Sequence, residues 1–370
     1  MTLTPVQERV IELVSPIKFH QSFTLSETET HEALKVTYAI SGIPIGEDAP
    51  TILFCGGMFG SRWMAVFNDF LATKVGVRVL YIDRPGFGGS TPVPLNQRIS
   101  TFLETVPALL RHLKITHISL ASHSSGTIFA LNLLAAHPDL LSPSKPSLTL
   151  FAPWVHQSLS SNTSLTVAAV LPNYLFNHWS ALTGFMINTA VPTVGASVGV
   201  SSGAISSLTG LFKDNSQPKQ KDIDADKRCL EFCGMDSKAT SELNNFAMKC
   251  AFAEETKGAN DEARLCLKSV SGECSWDAAE SLPELVQNLK VAWEKRVEEG
   301  ENRLRLRLVF AEEDAMIGEK GRLYFEDCWA EGKGESGIEV QSTKALGTNH
   351  DTLVDCTKEW LREMMESVKI

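Results

Sequence analysis

Ser122-His123-Ser124-Ser125-Gly126 sits between a short apolar run, His117-Ile118-Ser119-Leu120-Ala121, and a longer one from Thr127 to His137 that Pro138 closes. The first has the length of a buried strand and the second that of a buried helix. A serine on the turn between them, with small residues two before and two after it, fits a nucleophile elbow. Bulky flanking side chains would clash in so sharp a turn. The turn exposes a hydroxyl beyond the strand end. It also aims the following amides, at a helix N-terminus, toward a developing negative charge. Ser122 and Ser125 carry hydroxyls too, but only Ser124 has small neighbours on both sides at that spacing.

Working outward, strand-like and helix-like segments alternate up to about Trp154. Leu34–Ile40, Thr51–Cys55, Val77–Ile82 and Ser147–Phe151 have strand patterns; Ser61–Thr73 and Arg98–Leu113 have helical ones. The alternation resumes near the end of the chain. A helix is expected from Ser281, with Glu284 three residues on, to about Glu299. A strand at Leu304–Phe310, a helix at Gly321–Glu331, a strand at Gly337–Ser342 and a helix from Thr352 to Val368 follow. Such alternation predicts parallel strands joined by helices, an α/β fold.

The middle of the chain breaks this pattern. Pro146 to Phe212 contains no Asp, Glu, Lys or Arg, whereas Lys213 to Asp277 is densely charged and without strand character. A membrane-spanning helix needs about 20 mostly apolar residues. Pro172, Pro192, five glycines and many Ser and Asn residues interrupt every such window here. The expected organisation is a core over 1–153 and 276–370 with a mainly helical cap or lid over 154–275. Such a cap would wall a catalytic cleft, and it leaves room for peripheral contact with lipid.

Composition narrows the classes further. The 370 residues carry a net charge of −10 without a block of Lys and Arg, which argues against nucleic-acid binding. The eight cysteines form no paired metal-ligand spacing, so neither a metal nor an organic cofactor is expected. Thr4-Pro5-Val6-Gln7 looks like a capping box opening a short amphipathic helix rather than a signal peptide. The thiols are therefore read as reduced small fillers and the protein as cytoplasmic, with oligomeric state open. The sequon at Asn162 is read as chance.

Ligands bind beyond the carboxyl ends of strands in open parallel sheets. Four loops lie there besides the elbow: Cys55-Gly56-Gly57-Met58-Phe59-Gly60, Asp83-Arg84-Pro85-Gly86-Phe87-Gly88-Gly89-Ser90, Ala311-Glu312-Glu313-Asp314, and Leu346-Gly347-Thr348-Asn349-His350-Asp351. A serine, an acid and a histidine, each just past a strand, make a constellation with a mechanism. The imidazole takes the hydroxyl proton and returns it to the leaving group; the carboxylate fixes the tautomer and stabilises the imidazolium. Glu312, Glu313 and Asp314 are all candidates for the acid.

These motifs resemble the α/β-hydrolase superfamily, in its serine-nucleophile branch with a large cap insertion, over about 33–153 and 281–365. The Asp83–Ser90 loop is similar to the superfamily's Asp-Arg-x-Gly-x-Gly-x-Ser signature. Cys55 stands where a histidine is common, and Ser122 where the first elbow glycine is common. The resemblance implies a mostly parallel central sheet flanked by helices. It also implies Ser124 as nucleophile, His350 as base and Asp314 as acid. The amides of Gly57 and Ser125 would form the oxyanion hole, with Met58 as an alternative to Gly57.

Trp154, His156, His178 and Trp179 are the candidate substrate-binding residues of the cap, and the other histidines are expected to be structural. His123 is expected to point away from the pocket. The activity expected is hydrolysis of an ester, thioester or lactone of a bulky hydrophobic small molecule. Acyl transfer or carbon–carbon hydrolysis by the same residues is the first alternative. Non-hydrolytic ligand binding, isomerisation or cyclisation is the second.

Overall fold

The computed structural model describes residues 4–160, 220–330 and 337–369. In chain order the elements are α1 (Pro5–Val14), β1 (Gln21–Leu25), β2 (Leu34–Gly42), β3 (Thr51–Cys55), α2 (Met64–Val75), β4 (Arg78–Ile82), α3 (Arg98–Leu113), β5 (Ser119–His123), α4 (Gly126–Ala136) and β6 (Ser147–Phe151). After the undescribed stretch come α5 (Gln220–Cys233), α6 (Ser237–Ala253), α7 (Lys257–Leu267), α8 (Leu282–Glu298), β7 (Leu304–Glu313), α9 (Gly318–Ala330), β8 (Ile338–Asn349) and α10 (Glu359–Ser367).

The eight strands form one sheet in the order β1-β2-β4-β3-β5-β6-β7-β8. Only β1–β2 and β2–β4 pair antiparallel; every other pair is parallel. Every residue of β3, β4, β5 and β6 is buried, as expected of strands covered on both faces. α4 is buried from Gly126 to Leu134, which explains why its sequence is apolar all round. The strand order reverses between β3 and β5, with Cys55 opposite Ser122. That reversal opens the crevice where ligands bind in open α/β sheets. It sets the loop after β3 beside the elbow after β5.

The predicted capping box is formed: Thr4 N–H donates to Gln7 Oε1 at 2.9 Å and Gln7 N–H to Thr4 Oγ1 at 3.3 Å. Several boundaries differ from the sequence reading. β5 lies two residues later than expected, so His123 ends the strand. Ser281 makes no side-chain cap on α8. The helix expected from Thr352 is instead a short turn at Thr352–Val354 followed by α10. The Asp355 carboxylate accepts from the amide and hydroxyl of Thr357 at 2.8 Å each and interrupts it. β8 runs to Asn349, well past Ser342, because it follows β7 as a paired ribbon beyond the sheet.

Among the described residues there is no strand between β6 and β7. Trp154 and Val155, at the start of the expected cap, pack in the main apolar core, as do Phe232, Leu243 and Leu265 further along the middle segment. α5 packs on α2, and α6 on α1. α7 is buried along most of its length, and Glu262 on it is fully inaccessible. The charge-dense half of the middle segment therefore reaches into the interior as well as covering it.

Candidate active site

The backbone at Ser124 is left-handed, with φ of 51°, a costly conformation for a residue other than glycine. Three backbone bonds hold it: Ser124 N–H donates to the Phe151 carbonyl at 3.0 Å, and the Ser124 carbonyl accepts from Thr127 N–H at 3.0 Å and Trp154 N–H at 3.3 Å. The small neighbours are explained by contact. A Cβ on Gly126 would sit 2.0 Å from the Cys55 carbonyl oxygen, and Ser122 is fully buried. The start of α4 thus lies directly on the end of β3.

Ser124 Oγ is 2.9 Å from His350 Nε2, and His350 Nδ1 is 2.9 Å from Asp314 Oδ2. All three side chains are nearly inaccessible. Asp314 Oδ1 accepts from the amides of Met316 and Ile317, both at 2.9 Å. Glu312 is engaged elsewhere, accepting from Gly347 N–H at 2.7 Å, and Glu313 is exposed. Asp314 is the acidic side chain of this loop that reaches the imidazole.

Burial alone would pull the His350 pKa down, but the charge and hydrogen bond of Asp314, with Asp351 behind, raise it above the ordinary histidine value. Burial pushes Asp314 up, yet His350 and the two amides bring it below the usual carboxylate range. His123 has the opposite fate. Burial, then the neighbouring His350, lowers it to about 3, so it is neutral. Its Nε2 donates to the His350 backbone carbonyl at 2.9 Å, with the two rings 4.9 Å apart. His123 was expected to point away from the pocket; its imidazole lies beside the His350 ring and against Gly57, and its link to the base loop was not foreseen. Nothing in its sequence neighbourhood signals a partner 227 positions away.

Gly57 packs against the elbow: a Cβ there would lie 3.4 Å from Ser124 Cβ. Met58 is half-buried against the core, and Ser125 is buried at the start of α4. Burial pushes the Cys55 thiol up to about 12. In the following loop, Asp83 accepts from Arg62 N–H at 2.7 Å, Thr37 Oγ1 at 2.7 Å and Arg62 Nη1 at 2.8 Å. A carboxylate so engaged is a structural anchor.

Trp154 and His156 line a cavity of about 280 Å³ beside α4, with Ile128, Leu131, Trp276 and Phe325 among its walls. Ser124 and His350 are not among those walls. His156 bonds Ser158 Oγ at 2.8 Å and meets Trp276 edge-on at 6.0 Å. His178 and Trp179 lie outside the described residues, as do the sequon and most of the uncharged stretch. Among the described residues no cluster of His, Cys, Asp and Glu could hold a metal ion, and no helix is long and apolar enough to cross a membrane. All eight cysteines are free thiols.

The family model for the alpha/beta hydrolase fold matches residues 50–242, and the chain belongs to that family. A segment of 97 residues is 27% identical to (E)-2-((N-methylformamido)methylene)succinate hydrolase of Acinetobacter baylyi. It covers 26% of this chain and 36% of that protein, so the match spans about a third of the relative's length. Among solved structures, a thermophilic esterase from Thermogutta terrifontis superposes with a TM-score of 0.51 at 13% identity, covering 95% of this chain and all of that one. A structure from the carboxylesterases of Nitrososphaera gargenis gives 0.50 at 12% identity, covering 93% and 96%. The thioesterase domain from the curacin biosynthetic pathway gives 0.50 at 14% identity, covering 94% and 99%. At such identities the likeness is one of fold.

Proposed function

We propose that this chain is a serine hydrolase that cleaves an ester, thioester or lactone bond of a bulky hydrophobic small molecule. The observation that carries the reading is the unbroken chain of contacts from Ser124 Oγ to His350 to Asp314, each at 2.9 Å. His350 Nε2 takes the Ser124 proton as the hydroxyl attacks the carbonyl carbon. The tetrahedral oxyanion is met by the amides of Ser125 and Gly57, with Met58 as an alternative to Gly57. Collapse expels the leaving group with a proton from His350 and leaves an acyl-enzyme. Water, deprotonated by His350, then releases the acid. Asp314 holds the imidazole in the Nδ1–H tautomer and stabilises its charged form.

The uncharged stretch that follows β6 supports an apolar substrate over sugars or charged peptides. Residues 154–275 would form the wall and cover of the cleft. The kinship with esterase and thioesterase folds agrees with acyl chemistry.

The test is a fluorophosphonate probe on purified protein with adduct mapping, alongside Ser124→Ala and His350→Ala. Labelling at Ser124 that both substitutions abolish is the expected result. A folded wild-type protein that neither labels nor turns over a short p-nitrophenyl ester would overturn the reading.

A further inference from the structure

Arg84 lies behind the loop that follows β3. Its Nη1 donates to the Gly56 carbonyl at 2.8 Å and its Nη2 to the Gly57 carbonyl at 2.6 Å. The Gly57 carbonyl also accepts from Gly60 N–H at 2.7 Å. No peptide bond among the described residues is cis. In a trans peptide the N–H points opposite to the carbonyl of the same plane. Holding these two carbonyls therefore turns the amides of Gly57 and Met58 away from Arg84. Gly57 itself lies against the elbow, where a Cβ would fall 3.4 Å from Ser124 Cβ and 3.2 Å from His123 Nδ1.

The guanidinium is itself fixed. Glu262 of α7 accepts from Arg84 through both carboxylate oxygens, Oε2 from Nη2 at 2.8 Å and Oε1 from Nε. Glu262 Oε1 also accepts from Arg98 Nη2 at 3.1 Å, and Arg98 Nη1 donates to the Pro85 carbonyl at 2.6 Å. The Phe129 ring of α4 lies 4.9 Å from the Arg84 guanidinium carbon. Arg84, Arg98 and Glu262 are all fully buried. The close seating of α7 requires a glycine, since a Cβ on Gly258 would fall 2.7 Å from the Pro85 carbonyl oxygen. Two buried arginines facing one buried carboxylate are expensive to assemble, and hydrophobic packing often serves stability as well. The arrangement calls for another reason.

We propose that Glu262 is a positioning residue for the oxyanion hole, acting through Arg84 on the peptides of Gly56 and Gly57. The inference rests on the serine-hydrolase reading above. The chain of bonds runs from carboxylate to guanidinium to carbonyl, and the amides opposite those carbonyls face the developing oxyanion. Each bond polarises the next, so the buried guanidinium both aims the donors and strengthens them. Because Glu262 comes from the middle segment, that segment reaches the loop after β3 through Arg84.

The experiment measures kcat and KM for p-nitrophenyl butyrate, the pH profile and fluorophosphonate labelling of the wild type, Glu262→Gln, Glu262→Asp and Arg84→Lys. Both Glu262→Gln and Arg84→Lys should lower kcat about 10- to 100-fold, less than outright loss of a donor, with KM within about threefold. The acid limb of the profile should stay in place, because the His350–Asp314 pair is untouched. Glu262→Asp should recover part of the loss. Folded variants with wild-type kcat would overturn the proposal, as would a loss carried by KM or by a displaced acid limb. Should Glu262→Gln fail to fold, Arg84→Lys decides, since it keeps every charge of the cluster. A wild type that labels at Ser124 while Glu262→Gln labels at the same rate removes this inference alone. A wild type without labelling or turnover removes the hydrolase reading, and this inference with it.

Discussion

His123 Nε2 donates to the backbone carbonyl of His350 at 2.9 Å, so the residue before the candidate nucleophile carries the loop of the candidate base. The elbow and the histidine loop are thereby one unit. His123→Phe keeps a ring of similar shape and removes the donor. A carbonyl left unpaired in a buried site costs on the order of 1–3 kcal/mol. Esterase kcat should fall about tenfold, measured with a short ester. Wild-type kcat in this variant would mean the loop is held by other contacts.

The pH profile follows from His350. A general base must be neutral, and the folded site raises the His350 pKa above its ordinary value near about 6.5. Activity should therefore fall as pH drops, with the midpoint above that value. His123, lowered to about 3, should add no second histidine ionisation. Asp314→Asn removes the charge that raises His350, so the limb should move to lower pH while kcat falls about 10⁴-fold. Glu312→Gln and Glu313→Gln should leave both quantities unchanged.

Gly126 is pinned by the Cys55 carbonyl. Gly126→Ala forces backbone apart at the junction of β3 and α4 and should cost about 2–4 kcal/mol of stability. Chemical denaturation is the measurement. A variant as stable as the wild type would show that α4 can slide outward.

The thiols give an independent check on burial. Burial raises the pKa of Cys55 and Cys266; for Cys356 the hydrogen bond with Cys233 comes first, then burial. Thiolate is the reactive form. Iodoacetamide at pH 8 should modify Cys250 and Cys328, the two partly exposed cysteines, well before the six buried ones. Rapid alkylation of Cys55 or Cys266 in native protein would contradict the packing around α7.

Much of this was legible in the sequence because it is local. Arg98–Leu113 was expected and found as a helix, and the elbow showed itself through small residues between two apolar runs. β1 was not seen: Gln21–Leu25 is a short, half-polar edge strand whose identity comes from its partner β2. The residues alone left Asp314 open against its two neighbours and the resemblance chose it, because the choice depends on where β7 ends, and a β-bulge falls there. Glu262 was invisible for a different reason. It sits on a helix dense in Asp, Glu, Lys and Arg that resembles a solvated face, and its partners Arg84 and Arg98 lie more than 160 positions earlier.

β7 and β8 stay paired beyond the sheet to Glu313 and Asn349, the residues immediately before Asp314 and His350. The spacing of acid and base is thus set by the β7–β8 pairing and by its irregularity, where a step of two residues from Ala311 to Glu313 faces a step of four from Ala345 to Asn349. A slip of one residue along β8 would send its side chains to the opposite face while those of β7 stayed in place. Evolution can accordingly lengthen or shorten the α9–β8 connection with little effect on the reacting groups. Gaining or losing a single residue between Ala345 and Asn349 would put the imidazole out of step with its carboxylate.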